Sequence, residues 1–188
     1  MTEQLLNLLA VIDLEGKIVS GIRNFQDYLA SSGEINRVPP ENLHIVLSRF
    51  EGVSEHKLRD LFRALDNIYF EDFTVKLGSC LIQPSLETPQ TIWVQVSEGA
   101  EQLRRLALEI NENALQAGFK PVRGTFNPQI KIAEIKSIKD EGSLRAAVYR
   151  LLRVRIGKLE VRTIKLKREV SPQTMETIYE VKATESYI

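Results

Sequence analysis

A short apolar run fills residues 5–14 (LLNLLAVIDL) and ends at Asp13 and Gly16, which by length and flanks predicts a buried strand. Ile18, Ile22, Phe25 and Leu29 then recur at spacings of four, three and four, predicting a helix that Ser31-Ser32-Gly33 stops. Each proline of Arg37-Val38-Pro39-Pro40-Glu41-Asn42 fixes its own φ and disfavours helix just before it, so this segment is extended. It leads into a second apolar strand over residues 43–47. Ser54 fits an N-cap, ahead of a helix whose apolar face is Leu58, Leu61, Phe62, Leu65 and Ile68. Residues 73–81 alternate as a strand, 84–90 read as loop, and 91–96 (TIWVQV) as another strand. Residues 100–117 carry the clearest helical period, with Leu103, Leu106, Ile110 and Leu115 facing inward and Gly118 as the stop. Ile130, Ile132 and, less cleanly, Ile135 alternate in a strand over 126–135. A helix over 142–152, a strand over 157–167 and a last strand over 178–183, after a turn around Pro172, complete the chain.

The resulting order is β-α-β-α-β-β-α-β-α-β-β, and part of it repeats. Strand, helix and strand in 5–47 correspond to strand, helix and strand in 91–135, and each half closes on a strand with proline at its entry, Pro39-Pro40 and Pro128. Trp93 reads as core packing. The pattern predicts an α+β fold in which residues 1–188 form a single two-lobed domain, pseudo-twofold, with a cleft between the second strands of the two halves.

Composition narrows the chemistry. The 188 residues hold 25 Lys+Arg against 25 Asp+Glu, so no whole-protein charge draws the chain to nucleic acid or membrane. Hydrophobic residues at 43% and charged residues at 27% exclude disorder, collagen and coiled coil. The lone cysteine, Cys80, cannot form an intramolecular disulfide and, in an apolar stretch, reads as an inert buried thiol. No run approaches the roughly 20 apolar residues of a membrane-spanning helix. Met1-Thr2-Glu3-Gln4 lacks the basic region of a secretory signal, so a cytoplasmic location is expected. With only His44 and His56, a His-rich metal site is excluded, as is a Cys-ligated zinc. Gly99, Gly118 and Gly124 form no phosphate-cradling motif, and no dinucleotide fingerprint is present; neither metal nor cofactor is expected.

The segment Pro39-Pro40-Glu41-Asn42-Leu43-His44-Ile45-Val46-Leu47 resembles the first motif of the 2′-5′ RNA ligase / RNA 2′,3′-cyclic phosphodiesterase proteins, within the two-histidine phosphoesterase superfamily. In that motif an ENLH segment is followed by an apolar residue and then threonine. The resemblance continues through Ile12-Asp13, Ile92-Trp93, Ala117-Gly118-Phe119, Phe126 to Ala133, Gly157 to Glu169 and Ile178-Tyr179-Glu180. It implies a bilobal fold of antiparallel sheets flanked by helices around a central cleft. Two His-x-Thr/Ser motifs would face each other there, one imidazole acting as general base on water and the other, protonated, donating to the departing ribose oxygen.

This chain departs from that pattern. His44 stands at the first histidine, but Val46 replaces the first hydroxyl residue, Gln129 the second histidine and Lys131 its hydroxyl partner. The only other histidine, His56, falls in a predicted helix, so no realignment restores the pair. Gln129 can donate and accept hydrogen bonds but cannot take a proton near pH 7, which removes a transfer worth typically ~10²–10⁴ in rate. Val46 leaves a phosphate one donor short. Lys131 shares a side with Gln129 and puts an ammonium where a phosphate would sit, without arginine's fork geometry. The resemblance thus makes His44 the catalytic candidate and Gln129, Lys131 and Val46 the phosphate-binding ones. His44 also fits a satisfied strand-end histidine, and Gln129 and Lys131 fit solvated polar positions on a half-exposed strand.

Charge is unevenly placed. Residues 145–168 carry nine bases against one acid, Glu160, so the rest of the chain is acidic by eight. Such a run can lay a basic face beside the cleft for an RNA backbone or another polyanion, or be a solvated face balanced by acids elsewhere. Tyr149 is its only ring, which gives no base-stacking platform. Three functions stay open: a degenerate family member binding RNA ends or nucleotides with weak or no turnover, a slow or altered phosphodiesterase using His44, and a non-catalytic protein-interaction module.

Overall fold

The computed structural model describes residues 4–153 and 155–184; the start of the chain read above for a secretory signal, Met1–Glu3, lies outside them. The opening strand β1 (Leu5–Asp13) has antiparallel neighbours on both sides, β3 (His44–Ser54) and β8 (Thr163–Ser171), and β9 (Thr174–Lys182) extends the sheet to give the order β3-β1-β8-β9. A second antiparallel sheet has the order β2-β6-β5-β4-β7, built from β2 (Gly33–Arg37), β6 (Gln129–Ile138), β5 (Pro89–Glu98), β4 (Phe73–Pro84) and β7 (Arg155–Val161). Aligning β3-β1-β8-β9 with β6-β5-β4-β7 reproduces the internal repeat, and β2 is the extra strand. The α+β, pseudo-twofold architecture of antiparallel sheets flanked by helices is therefore present.

The helices exchange lobes. Helix α1 (Gly16–Ala30) leaves the four-stranded sheet and packs on β2, β6 and β7 of the other, beside α4 (Glu141–Arg153), which lies on β4. Helix α3 (Ala100–Gln116) leaves the five-stranded sheet and packs on β3 beside α2 (Leu58–Asp66). One continuous core joins both layers, running through Leu8, Ile22, Leu29, Ile45, Leu61, Ile92 and Leu103, all with almost no exposure. Burying these side chains is the main stabilisation of either lobe, and the crossed helices make each lobe depend on the other. Among the described residues, no helix is long and apolar enough to cross a membrane.

Several elements differ from the sequence expectation. Strand β2 is unpredicted, because Ile35 is its only apolar residue and its order comes from pairing with β6. Gly33, read above as part of a helix stop, is also where the two backbones meet: a Cβ there would lie 2.1 Å from the Ser137 carbonyl. The single strand expected over 157–167 is two strands serving different sheets, β7 against β4 and β8 against β1. Ser54 is not a side-chain cap; it ends β3, and α2 opens through a 3₁₀ turn at Glu55–Lys57. Leu115 is exposed at 57%, while Ala114 continues the buried row Leu103, Leu106, Ala107, Ile110. The loop expected over 84–90 shrinks as β4 runs to Pro84 and β5 starts at Pro89. The expected strand 126–135 begins only at Gln129, after Pro128.

Candidate active site

A cleft of about 440 Å³ opens between the two sheets, and His44, Val46, Gln129 and Lys131 all line it. Strand parity explains the grouping. On β3, Ile45 is fully buried while His44 and Val46 face the other way; on β6, Ile130 and Ile132 are fully buried while Gln129 and Lys131 face the cleft. The two pairs sit on separate sheets, β3 at the edge of its own, so the cleft is a meeting of two sheets and not a seam between paired strands.

His44 opens β3 directly opposite Asp13 at the end of β1. It is 7% exposed; its Nδ1 is buried without a hydrogen-bond partner, 3.9 Å from Oδ1 of Asp13. That leaves Nε2 as the nitrogen directed at the cleft. Asp13 is held from below by two ammonium groups of β8: Lys167 Nζ lies 2.6 Å from Oδ1 and Lys165 Nζ 3.0 Å from Oδ2. Lys167 is itself buried and also donates to the Glu41 carbonyl at 3.1 Å. Burial lowers the His44 pKa from 6.5 to about 4, aided by Lys167 and Arg49 and opposed by Asp13. The imidazole is therefore neutral at pH 7. The hydrogen bond to Asp13 raises the Lys165 pKa.

The facing wall carries a contact that sequence reasoning missed. Trp93 pairs with Lys131, Ile92 with Ala133 and Thr91 with Glu134, so Ile132 is an extra residue and β6 bulges. Ile132 and Ala133 are consequently both buried, and Glu134 turns to the same side as Gln129 and Lys131. There it accepts a hydrogen bond from Lys131, while Lys136 Nζ lies 3.7 Å from its other oxygen. The bond from Lys131 holds the Glu134 carboxyl below its ordinary range. Gln129 accepts a hydrogen bond from Asn127 at 3.2 Å.

Arg37, Arg49 and Trp93 complete the functional lining. Arg37 is held by Asp27, and Arg49 lies 3.9 Å from Glu169. Trp93, expected as core packing, is half-buried in the cleft wall instead, its Nε1 donating to Thr91 at 2.9 Å. The segment carrying Arg37 to Pro39 is fixed from α1: buried Gln26 donates to the carbonyls of Val38 at 2.9 Å and Ile132 at 2.8 Å. The basic run does not form the expected face beside the cleft. None of its described residues lines the cleft: Lys165 and Lys167 bind Asp13, Arg168 binds Glu176, and Arg162 binds Glu160. Nine like charges in sequence are thus divided by strand parity and by β7 and β8 joining different sheets.

Comparison with known proteins places this geometry. An RNA 2′,3′-cyclic phosphodiesterase of Aeropyrum pernix is 31% identical over 173 residues, spanning 90% of this chain and 98% of its own. The chain belongs to the RNA 2′,3′-cyclic phosphodiesterase family. A family member from Methanothermobacter thermautotrophicus is 26% identical over 165 residues, 86% of this chain and 89% of that one. The family described as LigT like Phosphoesterase matches residues 12–93, a stretch that takes in His44 and Val46 and stops at Trp93, short of Gln129 and Lys131. E. coli LigT in apo form shares the fold at TM-score 0.73 and 19% identity, over 98% of this chain and all of that one. The same protein complexed with 3′-AMP gives a TM-score of 0.71 at 18% identity, over 97% of this chain and all of that one.

Proposed function

We propose that this member of the RNA 2′,3′-cyclic phosphodiesterase family binds RNA ends or nucleotides in the cleft between β3 and β6 with weak or no turnover of a cyclic phosphate. The observation that carries the reading is the pairing across the cleft of a histidine held neutral with a glutamine that cannot titrate. Hydrolysis of a cyclic phosphate needs a base for water and an acid for the leaving ribose oxygen. His44 supplies only the first, and a base with a pKa of about 4 takes a proton from water with less driving force than an ordinary imidazole. Gln129 can hydrogen-bond the leaving oxygen but cannot protonate it. Val46 offers no hydroxyl, and the ammonium of Lys131 is shared with Glu134.

Binding is the function that survives these losses. Arg37, Arg49 and Lys131 line the cleft as the cations a phosphate would meet, each already beside a carboxylate, Asp27, Glu169 and Glu134, with which the phosphate would compete. Trp93 offers a ring face in the same wall. The 3′-AMP complex of E. coli LigT supports a nucleotide as the occupant. A second reading rests on the neutral Nε2 of His44: it can still deprotonate water, giving slow hydrolysis without acid assistance.

The test is equilibrium binding of a short RNA ending in a 2′,3′-cyclic phosphate, at two salt concentrations, by the parent and Lys131→Ala. Binding that weakens steeply with salt, with the slope lowered by about one in the variant, is expected. Absence of binding at low salt overturns the reading and leaves the cleft to a protein-interaction role.

A further inference from the structure

The bulge in β6 does more than irregularise a strand. In a regular strand, residues three apart face opposite sides, so Lys131 and Glu134 would not meet. The extra residue Ile132 shifts the phase by one and delivers a carboxylate into the wall where the phosphate is placed. Such a device costs ladder pairing, and bulges of this kind commonly re-aim a side chain beside an active site. Glu134 is a carboxylate at neutral pH, held so by the hydrogen bond from Lys131. Among the described residues it is the only acidic side chain lining the cleft.

We propose that Glu134 makes the cleft selective for singly charged phosphodiesters, such as a 2′,3′-cyclic phosphate, over doubly charged phosphomonoesters. The inference rests on reading the cleft as a nucleotide site and specifies which phosphate it takes. An incoming phosphate competes with Glu134 for Lys131. A diester brings one negative charge, which Lys131 can share with the carboxylate. A monoester carries about −1.5 to −2 at pH 7, its second pKa lying near 6, so its added charge meets a fixed carboxylate without a free cation to offset it. Arg37 and Arg49 do not fill that role, because Asp27 holds the first and Glu169 stands 3.9 Å from the second. Lys136 stands 3.7 Å from Glu134 and is already on the carboxylate.

Glu134→Gln tests this, because it keeps the shape and the hydrogen bond to Lys131 while removing the charge, at a half-exposed position that tolerates the change. The probes are 2′,3′-cyclic AMP and 3′-AMP, titrated into parent and variant at pH 7.5 and low salt, with binding read by ³¹P shift or calorimetry. The parent should favour the cyclic nucleotide. The variant should gain about tenfold in affinity for 3′-AMP and less than threefold for the cyclic nucleotide, the difference shrinking at high salt as screening acts on this half-exposed pair. At pH 5, where 3′-AMP is singly charged, the parent's preference should largely vanish. Equal changes for both nucleotides, or a preference that persists unchanged at pH 5, overturn the role of Glu134 while leaving the nucleotide site standing. No binding of either nucleotide by either protein overturns the site itself and the inference with it.

Discussion

Asp13 and His44 face each other across β1 and β3, yet Nδ1 of His44 stands 3.9 Å from Oδ1 of Asp13, while Lys167 Nζ lies 2.6 Å from that same oxygen. A histidine that received that oxygen would be stabilised as imidazolium. Here the carboxylate is spent on two lysines, and the imidazole is left neutral with its Nδ1 unpartnered.

Lys167 should therefore contribute, after burial, to keeping His44 unprotonated. Lys167→Met keeps a long apolar stem in a buried position, removes a repelling charge and frees Asp13 Oδ1 for His44. The His44 pKa should rise above about 4, while burial, the larger cause, still holds it below the ordinary 6.5. NMR titration of the ring protons measures it directly, since His56 is the only other histidine to assign. An unchanged midpoint would show that burial alone sets the value.

The same group links stability to pH. The folded pKa of His44, about 4, lies below the unfolded value near 6.5, so between these values the unfolded chain binds more protons and stability rises with pH. Going down in pH, the contribution is complete above about 6.5, is lost progressively through that window and is gone below about 4. At about 1.4 kcal/mol per unit, this term amounts to about 3 kcal/mol. Urea unfolding of the parent and His44→Gln at pH 7 and pH 4.5 isolates it. The parent should lose most of that amount relative to the variant, and parallel losses would contradict the assignment.

Gln26 anchors the cleft rim from outside the cleft. Gln26→Leu removes both donors, leaving the Val38 carbonyl without that partner, whereas Ile132 still accepts from the Val38 amide at 3.0 Å. A loss of about 1 kcal/mol in urea unfolding is expected for a stranded, partly buried acceptor. Hydrogen exchange should accelerate in β2 and around Val38 more than in β1; uniform acceleration would mean that Gln26 only fills space.

The sequence was legible where burial is one-sided and periodic. The runs around Leu8, Ile22, Ile45 and Ile110 predict their strands and helices because each presents one face to the core. The internal repeat exposed the relation of β3 to β6, and alternation around Ile130 and Ile132 put Gln129 and Lys131 on one side. Ordering that comes from distant pairing was not legible. Strand β2 exists through β6, and Glu134 reaches the cleft only because Ile132 bulges against β5. The Lys167–Asp13 pair joins residues more than 150 positions apart, so the basic run read as one surface when two of its nine bases, Lys165 and Lys167, turn inward to pair with Asp13. Leu115 failed for a simpler reason: it lies one residue past Ala114, where the helix face has already turned outward.

The central claim is that the cleft binds an RNA end without efficient chemistry, and single-turnover hydrolysis of a 2′,3′-cyclic phosphate at saturating protein tests it most directly. Saturation removes affinity from the comparison, so the rate reports the chemical step, proton transfer and phosphate placement together. The parent should be at least ~10²-fold slower than a two-histidine relative under the same conditions. Gln129→His alone should recover little, since Val46 and Lys131 still displace the phosphate; adding Val46→Thr and Lys131→Thr should recover more. A parent rate within tenfold of the two-histidine relative would contradict the account.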